Sequence, residues 1–420
     1  MLNVQFIREN PEKVKKGVSD KQYDASLVDK VLVIDKKRRQ LIQELQDLRT
    51  KRNSIANAVK NSIDKSELVE EGKKVKEAIQ LKESELAKLE EEFFEIMNQI
   101  PNLPAPDVKV GKNDSENEEI KKWGDIPQFD FEPLDHLRLG ANLGIIDFDS
   151  GAKVSGSQFY YLFGDGALLE LALVHYAFEN LIKEGFVPAI TPDLAKSRYY
   201  LGTGYLPKGD EAQTYTIEGQ DLGLIATAEV TLAGKHADEV ILEQNLPIKY
   251  VGYSHAFRQE AGAYGKYSKG LYRVHQFTKV EMFIYCTPSE SNKMHDYLLE
   301  LEEKLYQGLG LPYRVIKQCT GDLGAMAARK YDIEVWMPGR NDYGEVTSTS
   351  NCTDYQARNL NIKYRTKNGK NEYIHMLNGT AIAVSRTIIA ILENYQQKDG
   401  SVLIPKALQK WMGKDRIVAI

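Results

Sequence analysis

The chain has 420 residues, 42% hydrophobic and 27% charged, with a formal net charge of -5. That composition suits a soluble globular protein with room for two domains, and it excludes nucleic-acid binding through overall charge, leaving only local basic patches for such a role. The three cysteines, Cys286, Cys319 and Cys352, are odd in number and far apart, which argues against a disulfide framework or a CxxC-type zinc site and fits a reducing, cytoplasmic setting.

Met1 to Val18 mixes Arg, Glu and Lys with no continuous apolar run, so neither a signal peptide nor a membrane span is expected. Residues 1 to about 26 read as a short helical lead-in with Pro11 near a helix start. From Val31, the residues Ile34, Leu41, Leu45, Leu48, Ile55 and Val59 keep a heptad rhythm, with Arg38 and Arg52 in two seam positions. Val75, Ile79, Leu86, Leu89, Phe93, Ile96 and Ile100 repeat it, with Lys82 in one slot, and Asn61 to Gly72 holds the turn. The pattern predicts an antiparallel helical hairpin with arms of roughly 50 Å. Its charge is split: Asp29 to Lys65 carries ten basic and five acidic residues, Ser66 to Ile100 five basic and ten acidic. Interhelical ion pairing in a protein-binding coiled coil accounts for this, and so does a cationic arm that grips RNA phosphates.

Pro101-Asn102-Leu103-Pro104-Ala105-Pro106 stops the second helix, and Gly111 to Lys122 is polar and acidic. The expected division is a domain over 1–106, a linker over 107–127 and a second domain over 128–420. In the second domain short, Gly-punctuated strands mix with helices expected at about Ala167 to Glu184, Ser289 to Leu309 and Ala381 to Tyr395. This is an α+β fold around an antiparallel sheet. No G-x-x-x-x-G-K-[ST] and no strand-linked G-x-G-x-x-G occurs, so any nucleotide site uses neither a P-loop nor a Rossmann crossover.

Five strings in this domain carry chemistry. The helix from Ala167 runs into Gly185-Phe186-Val187-Pro188-Ala189-Ile190-Thr191-Pro192, which its proline marks as an edge strand. In Ile225-Ala226-Thr227-Ala228-Glu229, an extended backbone would send Thr227 and Glu229 into one pocket; an exposed strand edge is the plain alternative. Lys249 to Glu260 and Leu271 to Cys286 are strand-like and flank the glycine-containing, polar Ala261 to Gly270, which predicts a hairpin with a long connection. Arg258 and Glu260 then share a face, as do His275, Phe277 and Glu281 on the partner strand. Such a face can be no more than solvated ion pairs, yet it also offers a ring to stack on a base, a carboxylate to accept from an amine and an arginine for phosphate. In Gly344-Glu345-Val346-Thr347-Ser348-Thr349-Ser350-Asn351, Glu345 is an oxygen ligand of the kind Mg2+ takes beside phosphates. Ser348 differs from it in strand parity and could join it only across a bulge. Arg386 is the only charge in the apolar window Ala381 to Leu392, so it needs an anionic partner, either an internal carboxylate or a bound phosphate.

Phe257-Arg258-Gln259-Glu260-Ala261-Gly262 and its flanking strands resemble motif 2 of the class II aminoacyl-tRNA synthetases, and this particular string resembles the seryl-tRNA synthetases. The 167–192 segment is similar to motif 1, Leu377 to Leu392 to motif 3, and Thr227-Ala228-Glu229 to the Thr-Ala-Glu loop of seryl enzymes; the likeness extends over nearly the whole chain, arm included. It implies a class II catalytic domain, a homodimer formed through motif 1, ATP and Mg2+ at the site, and ligation of L-serine to tRNA(Ser) gripped by the arm, with tRNA(Sec) as a further acceptor to test.

The resemblance also implies roles. Arg258, Glu345 and Arg386 would be the catalytic residues: Arg258 on the α-phosphate and the serine carboxylate, Arg386 on the γ-phosphate, Glu345 and Ser348 on Mg2+. Glu260 and the main chain near Val274 would read adenine and Phe277 would stack on it, while Gln259, Val346 and Thr347 fall in the ATP-binding segments. Thr227, Ala228, Glu229, Arg258, Glu281, Asn378 and Thr380 would bind serine. Carboxylates there favour an ammonium, and a buried hydroxyl acceptor rejects alanine because it would be left unpaired. An amino acid:carrier-protein ligase would share the catalytic domain but have little use for a long RNA arm. An inactive paralogue or coiled-coil interaction protein would not need Arg258, Glu260, Glu281, Glu345 and Arg386 together.

Overall fold

The computed structural model describes residues 1–61, 65–205, 214–260 and 270–419. The chain divides into two compact units, Met1–Leu103 and Pro104–Ile420.

In the first unit, Val4–Glu9 is capped by Asn3, whose side chain accepts from the Gln5 N–H, and Pro11 opens Pro11–Asp20 where its missing donor costs nothing. Two long helices follow, α1 (Ser26–Asn61) and α2 (Ser66–Gln99). The 36 residues of α1 span about 54 Å at 1.5 Å per residue. The ion pairs Arg38–Glu90 (3.4 Å), Arg49–Glu83 (2.7 Å) and Lys51–Glu71 (2.8 Å) join low numbers to high ones, so the helices are antiparallel. Leu45 and Ile55 pack against Val75 and Ile79 in the seam. Arg38 crosses it, with its guanidinium 5.1 Å from the Phe93 ring centre, but Arg52, expected in the seam, is exposed. Arg38 enters because Glu90 meets it, and Arg52 has no ion-pair partner among the described residues. The turn expected over Asn61 to Gly72 is shorter, since α2 starts at Ser66; residues 62–64 lie outside the described residues.

The second unit is built on eight strands: β1 (Glu118–Trp123), β2 (Val187–Ile190), β3 (Ile248–Phe257), β4 (Gln276–Cys286), β5 (Tyr313–Lys317), β6 (Arg329–Met337), β7 (Asp342–Asn351) and β8 (His375–Ala383). Their order across the sheet is β1-β5-β6-β7-β8-β4-β3-β2. β2 pairs with β3 in parallel and the remaining neighbours are antiparallel. Three helices pack on it: α3 (Asp165–Lys183), α4 (Ser291–Gly308) and α5 (Val384–Asn394). Gly185, at φ 82, turns the chain from α3 towards β2 in a left-handed conformation open to glycine.

Two expectations change here. The segment expected as a linker, 107–127, contains β1, which pairs with β5 at the sheet edge; its charged residues fit because one face of an edge strand meets water. The helix expected from Ala381 begins at Val384, because Ala381 to Ala383 remain in β8.

Strand parity sets what the sheet can do. On β4, Val280, Met282, Ile284 and Cys286 enter the main core, while Phe277, Lys279 and Glu281 line a cavity. All three cysteines are buried thiols outside any disulfide. No helix among the described residues is long and apolar enough to cross a membrane.

Candidate active site

The cavity holds about 520 Å³ and is walled by β4, β7, β8, the end of β3 and the start of α5. Of the residues singled out from sequence, Glu229, Arg258, Glu260, Val274, Phe277, Glu281, Glu345, Val346, Thr347, Ser348, Asn378, Thr380 and Arg386 line it. Thr227, Ala228 and Gln259 do not. The 225–229 string is not extended: Glu229 opens a short helix, and the Thr227 hydroxyl turns back to accept its N–H at 3.2 Å. Ala228 packs into a separate apolar cluster. Gln259 is exposed, and its amide donates to the Thr214 carbonyl at 3.0 Å. His275, expected on the face of Phe277, places Nδ1 2.9 Å from the Arg258 carbonyl oxygen and 3.0 Å from the Tyr215 hydroxyl, so it braces the hairpin instead. Of the expected connection Ala261 to Gly270, only Gly270 belongs to the described residues.

One part of the wall is buried and acidic. Glu229 Oε1 accepts from Gln356 Nε2 at 2.6 Å and from Asn378 Nδ2 at 2.8 Å, and its Oε2 accepts from the Tyr205 hydroxyl at 3.1 Å. Burial, then the charge of Glu281, push the Glu229 carboxyl up to about 7, against the pull of Gln356, Lys279 and Tyr205. Glu281 Oε2 meets Lys279 Nζ at 2.5 Å and the Thr380 hydroxyl at 3.3 Å. With both carboxyls ionised, Glu229, Glu281 and Lys279 sum to one negative charge, the complement of a single ammonium. Behind this wall the Thr347 hydroxyl donates to Glu302 Oε2 at 2.8 Å, and burial raises the Glu302 carboxyl well above its ordinary value.

Another part is cationic and partly open. The Arg258 guanidinium lies 5.2 Å from the centre of the Phe277 ring. Glu260, in a left-handed backbone at φ 49, pairs with Arg273 at 2.9 Å. Arg386 pairs with Glu345 at 3.2 Å and donates from Nη1 to the Glu345 carbonyl at 3.1 Å. Burial raises the Glu345 carboxyl, but Arg386 and Lys330 outweigh it and hold it below the usual range. Between Glu345 and Thr347 the β6–β7 register slips, leaving Val346 as a bulge; this puts Glu345 and Ser348 on the same cavity despite their opposite parity. A second slip, at Ala381, lets Thr380 and Ala383 both line it.

Lys279, Lys330, Arg273, Tyr205 and Gln356 were not picked out from sequence. Lys279 had a signal, the same parity as Phe277 and Glu281. Tyr205 and Gln356 had none, because they meet Glu229 from elements remote in sequence.

Comparison with known proteins bears on all of this. Residues 214–395 match the tRNA synthetase class II core domain (G, H, P, S and T), and residues 1–104 match the seryl-tRNA synthetase N-terminal domain. The serine--tRNA ligases of Rubrobacter xylanophilus and Treponema denticola are 53% and 51% identical, each over 99% of this chain, and are themselves covered over 99% and 100% of their length. Among solved structures, the seryl-tRNA synthetase from Pyrococcus horikoshii complexed with ATP aligns over 100% of both chains with a TM-score of 0.92 and 41% identity. The cytoplasmic serine-tRNA ligase from Naegleria fowleri in complex with AMP aligns over 99% of this chain and 98% of its own, with a TM-score of 0.86 and 36% identity.

Proposed function

The chain belongs to the seryl-tRNA synthetase family, and on that footing we propose that it is an ATP-dependent serine--tRNA ligase working in two steps at the 520 Å³ cavity. In the first, the serine carboxylate attacks the α-phosphorus of ATP, forming seryl-adenylate and releasing pyrophosphate. In the second, a hydroxyl of the 3′-terminal adenosine of tRNA(Ser) attacks the seryl carbonyl and AMP leaves. No protein nucleophile is needed, so the site works by positioning and charge neutralisation.

The observation that carries the reading is the coexistence on one wall of a buried acidic pocket containing a hydroxyl and an arginine-lined half. Glu229 and Asn378 receive the serine ammonium, and Glu281 and Thr380 receive its hydroxyl. Arg258 spans the serine carboxylate and the α-phosphate. Phe277, already covered by Arg258 on one face, offers its ring to adenine, whose amine Glu260 and the main chain at Val274 read. Val346 and Thr347 bound the nucleotide side of the wall. Thr227 acts through its bond to Glu229, and Ala228 and Gln259 through their backbone. Arg386 takes the γ-phosphate.

Glu345 and Ser348 fit Mg2+: they are hard oxygen donors brought to one wall by the Val346 bulge, and two protein oxygens suffice where phosphates and water complete the shell. The ion would neutralise phosphate charge as pyrophosphate leaves.

The division into a tRNA-binding domain over 1–106 and a catalytic domain beyond it follows the same reading. The arm would hold tRNA(Ser), and tRNA(Sec) is a second acceptor to assay. A cytoplasmic setting is proposed from three cysteines that form no disulfide, and a homodimer from the exposed apolar residues Leu168, Leu171 and Ile182 of α3 and Val187 and Ile190 of β2, the last 81% exposed on an edge strand. Light scattering should give twice the chain mass. ATP–pyrophosphate exchange against a panel of amino acids tests the function: serine should exceed alanine, glycine and threonine many-fold, and equal rates with alanine would refute the assignment.

A further inference from the structure

Arg386 is held by more than Glu345. Its Nε donates to the Tyr272 carbonyl at 3.4 Å, and its guanidinium carbon lies 4.6 Å from the centre of the Tyr272 ring. The same ring carries a second cation, Arg340, at 4.7 Å. Two guanidiniums brought this close repel each other, and the electron-rich face of a tyrosine offsets that cost. Tyr272 and Arg386 both line the cavity. With Nε on Tyr272 and Nη1 on Glu345, the orientation of the guanidinium is fixed, and Nη2 has no protein partner among the described residues.

The segments carrying Tyr272 and Arg340 are tied together by one buried carboxylate. Glu393 is 1% exposed and stands seven residues after Arg386 on α5, two turns along the same face. Its Oε1 accepts from the His136 N–H and from His136 Nδ1, each at 3.0 Å, and its Oε2 accepts from the Gly339 N–H at 2.9 Å. Gly339 precedes Arg340. The His136 ring lies against Gly270, two residues before Tyr272; a Cβ at Gly270 would stand 2.2 Å from His136 Nε2, and Gly270 has φ 67. Helix α5 thus presents the phosphate-binding arginine and, two turns on, the anchor of the platform on which that arginine rests.

We propose that Tyr272 and Glu393 are positioning residues for the ATP triphosphate: Glu393 fixes the two chain segments that bring Arg340 and Tyr272 together, and Tyr272 sets the plane in which Arg386 meets phosphate. This rests on the reading of Arg386 as a phosphate ligand.

The test uses the full-length protein and its variants Tyr272→Leu, Tyr272→Phe and Glu393→Gln. Three quantities are measured: KM for ATP and for serine in pyrophosphate exchange, ATP affinity by calorimetry without serine, and Tm. Tyr272→Leu removes the ring and keeps the carbonyl; it should raise the ATP KM and Kd about tenfold while serine KM stays within about twofold and Tm within a few degrees. Tyr272→Phe should keep the parent ATP affinity, and Glu393→Gln should move in the direction of Tyr272→Leu. Should Glu393→Gln fail to fold, Glu393→Asp replaces it: the shorter carboxylate cannot hold His136 and Gly339 together, so weaker ATP binding is again expected, and parent affinity would overturn the role given to Glu393. An unchanged ATP affinity in Tyr272→Leu, an equal rise in both KM values, or a phenylalanine variant as impaired as leucine overturns the proposal. A parent that binds ATP but exchanges with no amino acid would refute the ligase reading alone, and calorimetry would still decide the platform.

Discussion

Lys279 Nζ stands 2.5 Å from Glu281 Oε2, both side chains buried and both on the cavity-facing parity of β4. Without the lysine, Glu281 would be a buried carboxylate with no cation beside it, and its Oε2 would no longer be held in place to accept from the serine hydroxyl. Lys279→Met should therefore lower the serine-to-alanine ratio of kcat/KM about tenfold or more, largely through serine. A ratio unchanged from the parent would show that Lys279 only fills space.

The Glu229 carboxyl, raised to about 7 by burial and by Glu281, must be ionised to hold an ammonium. Below pH 7 it takes up a proton that serine binding has to expel, so the serine Kd should rise as pH falls from about 7.5 to 6, approaching tenfold per unit. Calorimetry in buffers of different ionisation enthalpy would detect the released proton. Glu229→Gln should weaken serine binding and flatten the profile over this range.

Arg386, the residue proposed to take the γ-phosphate, is paired with Glu345 in the protein. Arg386→Ala should reduce exchange at least a hundredfold while circular dichroism shows the folded protein, because the side chain is partly exposed. Exchange surviving within a few-fold would make the residue structural.

On the arm, Arg38, Arg49 and Lys51 are engaged by Glu90, Glu83 and Glu71, and Arg39 by Asp35. Lys36, Lys37, Arg52 and Lys60 are exposed and have no ion pair among the described residues, so on the proposed reading they are the arm's cations for tRNA phosphates. Replacing these four by alanine should weaken tRNA binding and flatten its log–log salt dependence by about 0.7 to 0.9 for each phosphate no longer neutralised, with pyrophosphate exchange unaffected. Full tRNA charging by this variant would favour the arm as a protein-binding coiled coil.

Much of this was legible because single-chain periodicities carry it. The heptads of α1 and α2, the parity of Phe277 and Glu281, and the need for a bulge between Glu345 and Ser348 all follow from spacing alone. What spacing misses is partnership across the fold. Thr227 was misplaced because a local hydroxyl-to-backbone bond beat the extended conformation its neighbours suggest. β1 was hidden in an acidic stretch because an edge strand needs no apolar alternation. Glu393 and His136, 257 residues apart, carry no local sign of their hydrogen bond.

The sheet is completed from its middle. β8 lies between β7 and β4, joined to the first through Thr349–Gly379, Ser350–Asn378 and Asn351–Leu377 and to the second from His375–Cys286 to Ala383–Lys279. During synthesis the β3–β4 hairpin and the β5–β6–β7 meander emerge first, as two half-sheets each with an unpaired border, and they cannot be bridged until residues 375–383 leave the ribosome. Binding competence is therefore gained late and all at once, and a nascent chain stalled before β8 would display two sticky edges, making that interval the one in which a chaperone has most to shield.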